Sequence, residues 1–513
     1  MVVAGDGRYD TNLGPDSESF RWFMPDQPFR SLAPQTLMRD YYEPRLIAKL
    51  MDCTQDGNCA RVLHPVPPVA GLNRQLPTVR ITEVKPIRPG WAQVNIEVNE
   101  TSDAGSGRKS GVYGVKLLMN NREVSRDPDD SSAKPSTLNE WRQANLSPPG
   151  DDQGNRYWGL EVQLPTDGKP LQFSAYSFNS DRVKSDTARL AWTPPQGPLA
   201  MPPRVRRAFV LTIGVNDYSE SRLALNFAVP DAQLISQRLA SIPGYEMRHA
   251  SLTTARLQGG SVRSVTREDI DKALGILAGF PPGPYQTELK AAGFDASALD
   301  NATPDDIVII SFSGHGFADT SGNFALVPSN ARWPVTDAGP QADTVIDAAQ
   351  LTMWLRAIKA QEIAFIIDAC HSGAAVNTPD FKPGPMGDPG LGQLAFDKGL
   401  RILAATQADD VALENASLAQ GFLTAALGEG LTPTGGPADL NRDGKVLLDE
   451  WLRYAVARLP SLNEEVRRGG GAMAARGVRL VMRAPSAAPP KSQEPSLFDF
   501  NSAPSPVALR GQP

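Results

Sequence analysis

Two ionisable side chains stand where apolar runs give way to small residues: His315 in 307–316, IVIISFSGHG, and Cys370 in 363–374, IAFIIDACHSGA. A thiol and an imidazole are a nucleophile and a base. Such a pair can attack a carbonyl carbon, form an acyl-enzyme and leave it to water. The imidazole takes the thiol proton or, more usefully, gives a proton to the leaving amine. The developing oxyanion needs preorganised donors. The backbone N–H groups of Gly316 and Cys370 are the candidates, and Gly316 permits a close approach. His371 adjoins the thiol, but neighbours on an extended chain point to opposite faces, so it is not the base. A lone cysteine at a strand end is more often structural; the His-bearing partner run decides for chemistry.

Both runs are continuous and rich in β-branched residues, the signature of strands buried on both faces of a parallel sheet. Such sheets carry their chemistry at the carboxyl ends of the strands. The flanking segments fit. A strand starts at Ala208 (AFVLTIGVNDY), and a helix over about 226–241 puts Ala232, Leu234, Ile235 and Leu239 on one stripe. A short strand follows near 247–252, then a helix over 266–277 opened by a Thr266/Asp269 capping box. After a Pro- and Gly-containing insertion at 279–305, the two site strands flank a helix near 347–359, and RILAAT at 401–406 is a further strand. This alternation predicts a mostly parallel sheet flanked by helices. Residues 374–398 are rich in Pro and Gly and predict a mobile loop directly after the nucleophile.

The rest of the 513-residue chain predicts two or three domains in all. Residues 1–75 are an irregular connector with one helix near 37–51. Residues 76–195 hold short alternating segments separated by turn residues, an all-β sandwich. Its strand layout resembles the immunoglobulin-like modules of bacterial surface and signalling proteins. Residues 125–152 form a long loop in it, 196–206 a Pro-rich linker, and 484–513 a disordered tail apart from LFDF at 497–500. A net charge of −6 excludes a nucleic-acid or anionic-membrane footprint, and no apolar run is long enough to span a membrane. No signal peptide is visible, and the abrupt start suggests a longer parent with an upstream sensor or partner. Cys53 and Cys59 either close a small loop disulfide or are free thiols; the second reading, with a bacterial cytoplasmic location, is taken.

SGHG at 313–316 and DACHSG at 368–373 resemble the catalytic motifs of metacaspases and other bacterial caspase-like cysteine peptidases. The Cys lies 55 residues after the His, close to the caspase spacing of about 50. The resemblance covers about 207–483. It implies a caspase-like α/β domain, with His315 and Cys370 as the catalytic dyad, acting on protein or peptide substrates with no cofactor needed for the chemistry. The family pattern further implies that Asp231 and Asp368 line the pocket for the residue before the scissile bond. Paired carboxylates there select Arg or Lys. Asp231 is also a good helix-capping residue. Enzymes of this kind are often cut in the loop after the nucleophile. Here only Lys382 and Lys398 qualify as basic sites, and Pro383 blocks the first. The alternatives are a non-enzymatic caspase-fold signalling scaffold and a peptidase selecting Asp.

A separate stretch, DLNRDGKVLLDE at 439–450, places Asp439, Asn441, Asp443, Gly444 and Glu450 at the ligand and turn positions of an EF-hand loop. It suits Ca²⁺. The same residues equally make an Asx-rich turn with no ion.

Overall fold

The computed structural model describes all residues except 15–16, 18, 25–26, 58, 62, 64, 129–137, 152–153, 196–202, 319–323, 334–338, 372–388, 406–412, 416–419, 469–472, 476–494, 502 and 512–513; at Cys370 and His371 it describes the backbone alone. In the C-terminal part we label β1 (Arg207–Gly214), α1 (Ala228–Arg238), β2 (Glu246–Thr253), α2 (Arg267–Ala278), β3 (Ile307–Ala318), β4 (Phe324–Val327), α3 (Ala348–Ala357) and β5 (Glu362–His371). There follow α4 (Pro389–Lys398), β6 (Arg401–Ala404), α5 (Phe422–Gly430), β7 (Val446–Leu447), α6 (Leu448–Arg468), β8 (Ser496–Phe498) and β9 (Ala508–Arg510).

An eight-stranded mixed sheet organises this part, with β2, β1, β3, β5, β6 and β8 side by side in that order. The pairs from β2 to β6 are parallel, whereas β8 runs antiparallel on β6 and β4 folds back antiparallel on β3. The central strands are apolar on both faces because both are covered. Val308, Ile310 and Phe312 of β3 face the core that includes α2 and α3, whereas Ile307 and Ile309 face the core of α1, α5 and α6. The expected capping box is present: Thr266 accepts from the Asp269 N–H, and Asp269 accepts from the Thr266 N–H.

Residues 78–192 form two antiparallel sheets. One holds Thr78–Arg88, Trp91–Asn99 and Asn155–Gln163; the other holds Tyr113–Met119, Arg122–Asp127, Leu171–Phe178 and Ala188–Trp192. They share one core that includes Val94, Ile96, Leu117 and Phe173. Trp91–Asn99 alternates strictly between partly exposed and buried positions, as a strand with one packed face must.

Several expectations need correction. Residues 374–398 are not one irregular loop, because α4 occupies their last turns. Pro389 opens that helix, where its missing N–H costs nothing, and Leu391, Leu394 and Ala395 are fully buried. Residues 372–388 lie outside the described residues. In the tail, β8 overlaps the LFDF stretch set apart above and pairs with β6, whereas residues 508–510, read as disordered, form β9 and pair with β7. The segment 125–152 contains a helix, Leu138–Ala144, anchored by the buried Trp141. The insertion at 279–305 contains the helix Pro282–Ala291. The N-terminal helix is two, Met38–Tyr41 and Leu46–Asp56. Cys53 and Cys59 are not free thiols; they are disulfide-bonded, with Cα atoms 4.5 Å apart.

Candidate active site

β3 and β5 are neighbours in parallel register, and Ser313 pairs with Asp368, His315 with Cys370, and Gly316 with His371. Directly opposed residues of parallel strands share a face, and successive residues alternate faces. The His315 and Cys370 positions therefore fall on the face of Ser313 and Asp368, and the His371 position falls on the other. The sheet brings the predicted pair together and separates the excluded histidine from it. β3 does not stop at the site, however: it continues to Ala318, and Gly316 is flanked in register by Leu326 of β4 and His371 of β5.

His315 is 1% exposed and held at two points. Its Nε2 lies 2.8 Å from the Leu223 carbonyl oxygen. A carbonyl only accepts, so Nε2 carries the proton, and the lone pair is on Nδ1. The backbone N–H of His315 donates to the Tyr218 hydroxyl at 2.9 Å, and the two rings pack with centroids 5.0 Å apart. Both partners come from the loop after β1. Asn216 shapes that loop: its carbonyl accepts from the Leu225 N–H at 2.8 Å, and its side chain joins Val229 and Asn226. Gly314 lets Tyr218 approach, since a Cβ there would meet the Tyr218 hydroxyl at 3.0 Å. At the end of β1, a Cβ on Gly214 would meet the Ala228 carbonyl at 2.6 Å, so only glycine lets α1 start so close to the sheet.

Asp231 and Asp368 are 1% and 2% exposed. Asp231 accepts from the Ser313 hydroxyl and from the Gly421 N–H, both at 2.8 Å. Asp368 accepts from the Thr424 hydroxyl at 2.7 Å and its N–H at 3.3 Å. Buried carboxylates demand such donors. The two thus meet around Ser313 and the N-terminus of α5, one strand repeat before the His315/Cys370 pair. Asp231 lies in the first turn of α1, whose N-cap residue is Phe227, so it does not act as the cap. Tyr218, Ser313 and Thr424 went unassigned in the sequence. Tyr218 was visible only as part of GVNDY, and the Leu223 carbonyl, being main chain, leaves no sequence signal.

The 439–450 loop has the turn expected of it, with Gly444 at a φ of +85°. Its carboxylates bond the loop's own amides: Asp439 accepts from Asp443 and Gly444, Asp443 from Lys445, and Glu450 from Asn441 and Leu447. Asn441 accepts from the Asp443 N–H at 2.9 Å. Among the described residues no group of three or more His, Cys, Asp or Glu is gathered to hold a metal ion. No helix among them is long and apolar enough to cross a membrane.

Residues 207–436 match the family model for the caspase domain. No curated protein matches. Among solved structures, the chain is similar to caspase-1 from Spodoptera frugiperda, with 11% identity over 60% of this chain and 91% of that one and a TM-score of 0.31. A family 28 exopolygalacturonase from Yersinia enterocolitica is aligned with 11% identity over 57% of this chain and 55% of that one, with a TM-score of 0.14. Neither likeness is close enough to carry an argument. The family match falls on the sheet that pairs His315 with Cys370, and this part of the chain is similar to a caspase domain.

Proposed function

We propose that the chain is a cysteine endopeptidase working through a His315/Cys370 dyad. The observation that carries this is the register of β3 on β5, which sets the two residues opposite each other at the carboxyl end of a parallel sheet. Nδ1 of His315 takes the Cys370 thiol proton, the thiolate attacks the substrate carbonyl carbon, and the C–N bond breaks as Nδ1 passes that proton to the leaving amine. Water then resolves the thioester. The Leu223 carbonyl acts as the orienting third group by fixing the His315 tautomer. The N–H groups of Gly316 and Cys370 take the oxyanion role. Cleavage follows Arg or Lys, whose charge is met by Asp231 and Asp368. Two buried carboxylates flanking Ser313 support that preference. The test is hydrolysis of fluorogenic peptides ending in Arg, Lys or Asp by the wild type, Cys370→Ala and Asp231→Asn. Turnover of basic peptides only, lost in the first variant and lowered at least tenfold in the second, is the expected result. A preference for Asp would refute the assigned specificity.

The sandwich belongs to the same proposal as an immunoglobulin-like spacer or recognition module. The Cys53–Cys59 bridge favours an oxidising compartment over the cytoplasm. Calcium binding at 439–450 rests on the sequence pattern alone; calorimetric titration of the wild type against Glu450→Gln tests it, and no heat from the wild type ends it.

A further inference from the structure

A cavity of ≈ 1440 Å³ lies between the sandwich, α3 and α4, and neither His315 nor Asp231 nor Asp368 lines it. Its wall carries more cations than the carboxylates there can pair. Lys116, Arg126, Arg356, Lys184 and Lys398 line it with Glu123 and Asp397 between them. Lys116 pairs with Asp397 at 2.5 Å and Glu123 at 3.2 Å, and Arg126 grips Glu123 with two nitrogens at 2.7 and 2.8 Å. That occupies both carboxylates.

The remaining three cations are left with weaker partners. Lys184 is 7% exposed, and among the described residues its Nζ donates only to neutral oxygens, the Ser185 carbonyl at 3.1 Å and the Thr187 hydroxyl at 2.7 Å. It also lies 4.4 Å from the centre of the Tyr176 ring. Lys398 is 8% exposed, and its Nζ donates to the Glu123 main-chain oxygen at 3.0 Å. Arg356 stands 3.6 Å from Glu123 and 3.8 Å from Asp397, and its buried Nε has no hydrogen-bond partner among the described residues. Asp186 and Asp397 act on Lys184, and Glu123 on Lys398, only through space, and a buried ammonium with no carboxylate in direct contact is costly and persists where something repays it. Burial pushes Lys184 down to about 7 and Lys398 down to about 8, which is the same cost expressed as proton affinity.

We propose that this cavity binds a compact polyanion of the di- or triphosphate class, held by Lys184, Lys398 and Arg356. Lysine offers a point charge to phosphate and arginine a planar fork, so the three suit a chain of phosphoryl groups. The inference does not depend on the peptidase reading. The test is calorimetric titration of the full chain with tripolyphosphate at pH 7.5, in two buffers of different ionisation enthalpy. We expect one site and proton uptake on binding, because the buried lysines regain their charge beside an anion. Lys184→Met and Lys398→Met should each weaken binding at least tenfold and reduce the uptake. Arg356→Gln, at a partly exposed position, should do the same to affinity and serves if the buried variants do not fold. ATP titrated in place of tripolyphosphate separates the sources: equal affinity assigns the phosphate chain alone, and tenfold tighter binding assigns a nucleotide. No heat from the wild type at millimolar tripolyphosphate, or binding unchanged in Arg356→Gln, would overturn the proposal.

Discussion

His315 is positioned more by main chain than by side chains. The Leu223 carbonyl sets its tautomer, and Tyr218 holds its backbone N–H. In Tyr218→Phe the ring still packs, but that N–H loses its acceptor in a buried place, a loss of about 1–3 kcal/mol. We expect a lower melting temperature and a kcat reduced roughly tenfold with KM nearly unchanged, since the imidazole shifts while the substrate pocket does not. An unchanged kcat would mean that the hydroxyl has no part in aligning the base. The placing of His315 opposite Cys370 was legible in the sequence because strand ends, spacing and residue types agreed. Its orienting groups were not: a carbonyl is the same in every residue, and Tyr218 gains its meaning only when the loop after β1 folds over β3.

Among the elements, α4 departs furthest from its sequence pattern. Pro389, Gly390 and Gly392 read as breakers, yet proline is at ease in a first helical turn, and the buried Leu391, Leu394 and Ala395 supply the driving force. The helix ends on Lys398, buried with its Nζ on the Glu123 carbonyl, so the one basic bond that sequence left open to self-cleavage is shielded. Burial of this lysine and Lys184 makes stability depend on pH. An unperturbed lysine takes its proton near 10.5, whereas Lys398 takes it near 8 and Lys184 near 7. Between those values the unfolded chain holds protons that the folded chain lacks, so stability rises with pH over that window. As pH falls the penalty grows by up to about 1.4 kcal/mol per pH unit for each lysine, until about 8 for Lys398 and about 7 for Lys184, and is constant below. Urea midpoints should therefore climb from pH 7 to 9.5 in the wild type and climb less in Lys184→Met. Parallel curves would contradict the assignment.

At the scale of the whole molecule, the N-terminal segment, the sandwich and the tail all converge on α4. Tyr42 packs edge-on against Phe500 with centroids 6.0 Å apart and lies against Gly392, where a Cβ would meet it at 2.6 Å. Lys116 of the sandwich reaches Asp397, and Glu362 of β5 joins Arg122 of the sandwich to Arg401 of β6. None of these contacts could be read from sequence, because pairing across hundreds of residues has no local pattern. A chain starting at Pro203 would leave Asp397 without Lys116, Glu362 without Arg122, and Phe500 without Tyr42. The same truncation uncovers apolar surface that the N-terminal segment buries, at about 25 cal/mol for each Å² exposed. Such a fragment should aggregate or melt well below the full chain, and an equal melting temperature would show that the α/β domain stands alone.

The most direct test of the account is a comparison of the wild type, Cys370→Ala and His315→Ala on fluorogenic peptides ending in Arg, Lys or Asp, with circular dichroism alongside. Both substitutions lie at the sheet's functional end, so native spectra are expected in all three proteins, with hydrolysis after Arg or Lys in the wild type alone. Wild-type turnover in Cys370→Ala would contradict the dyad.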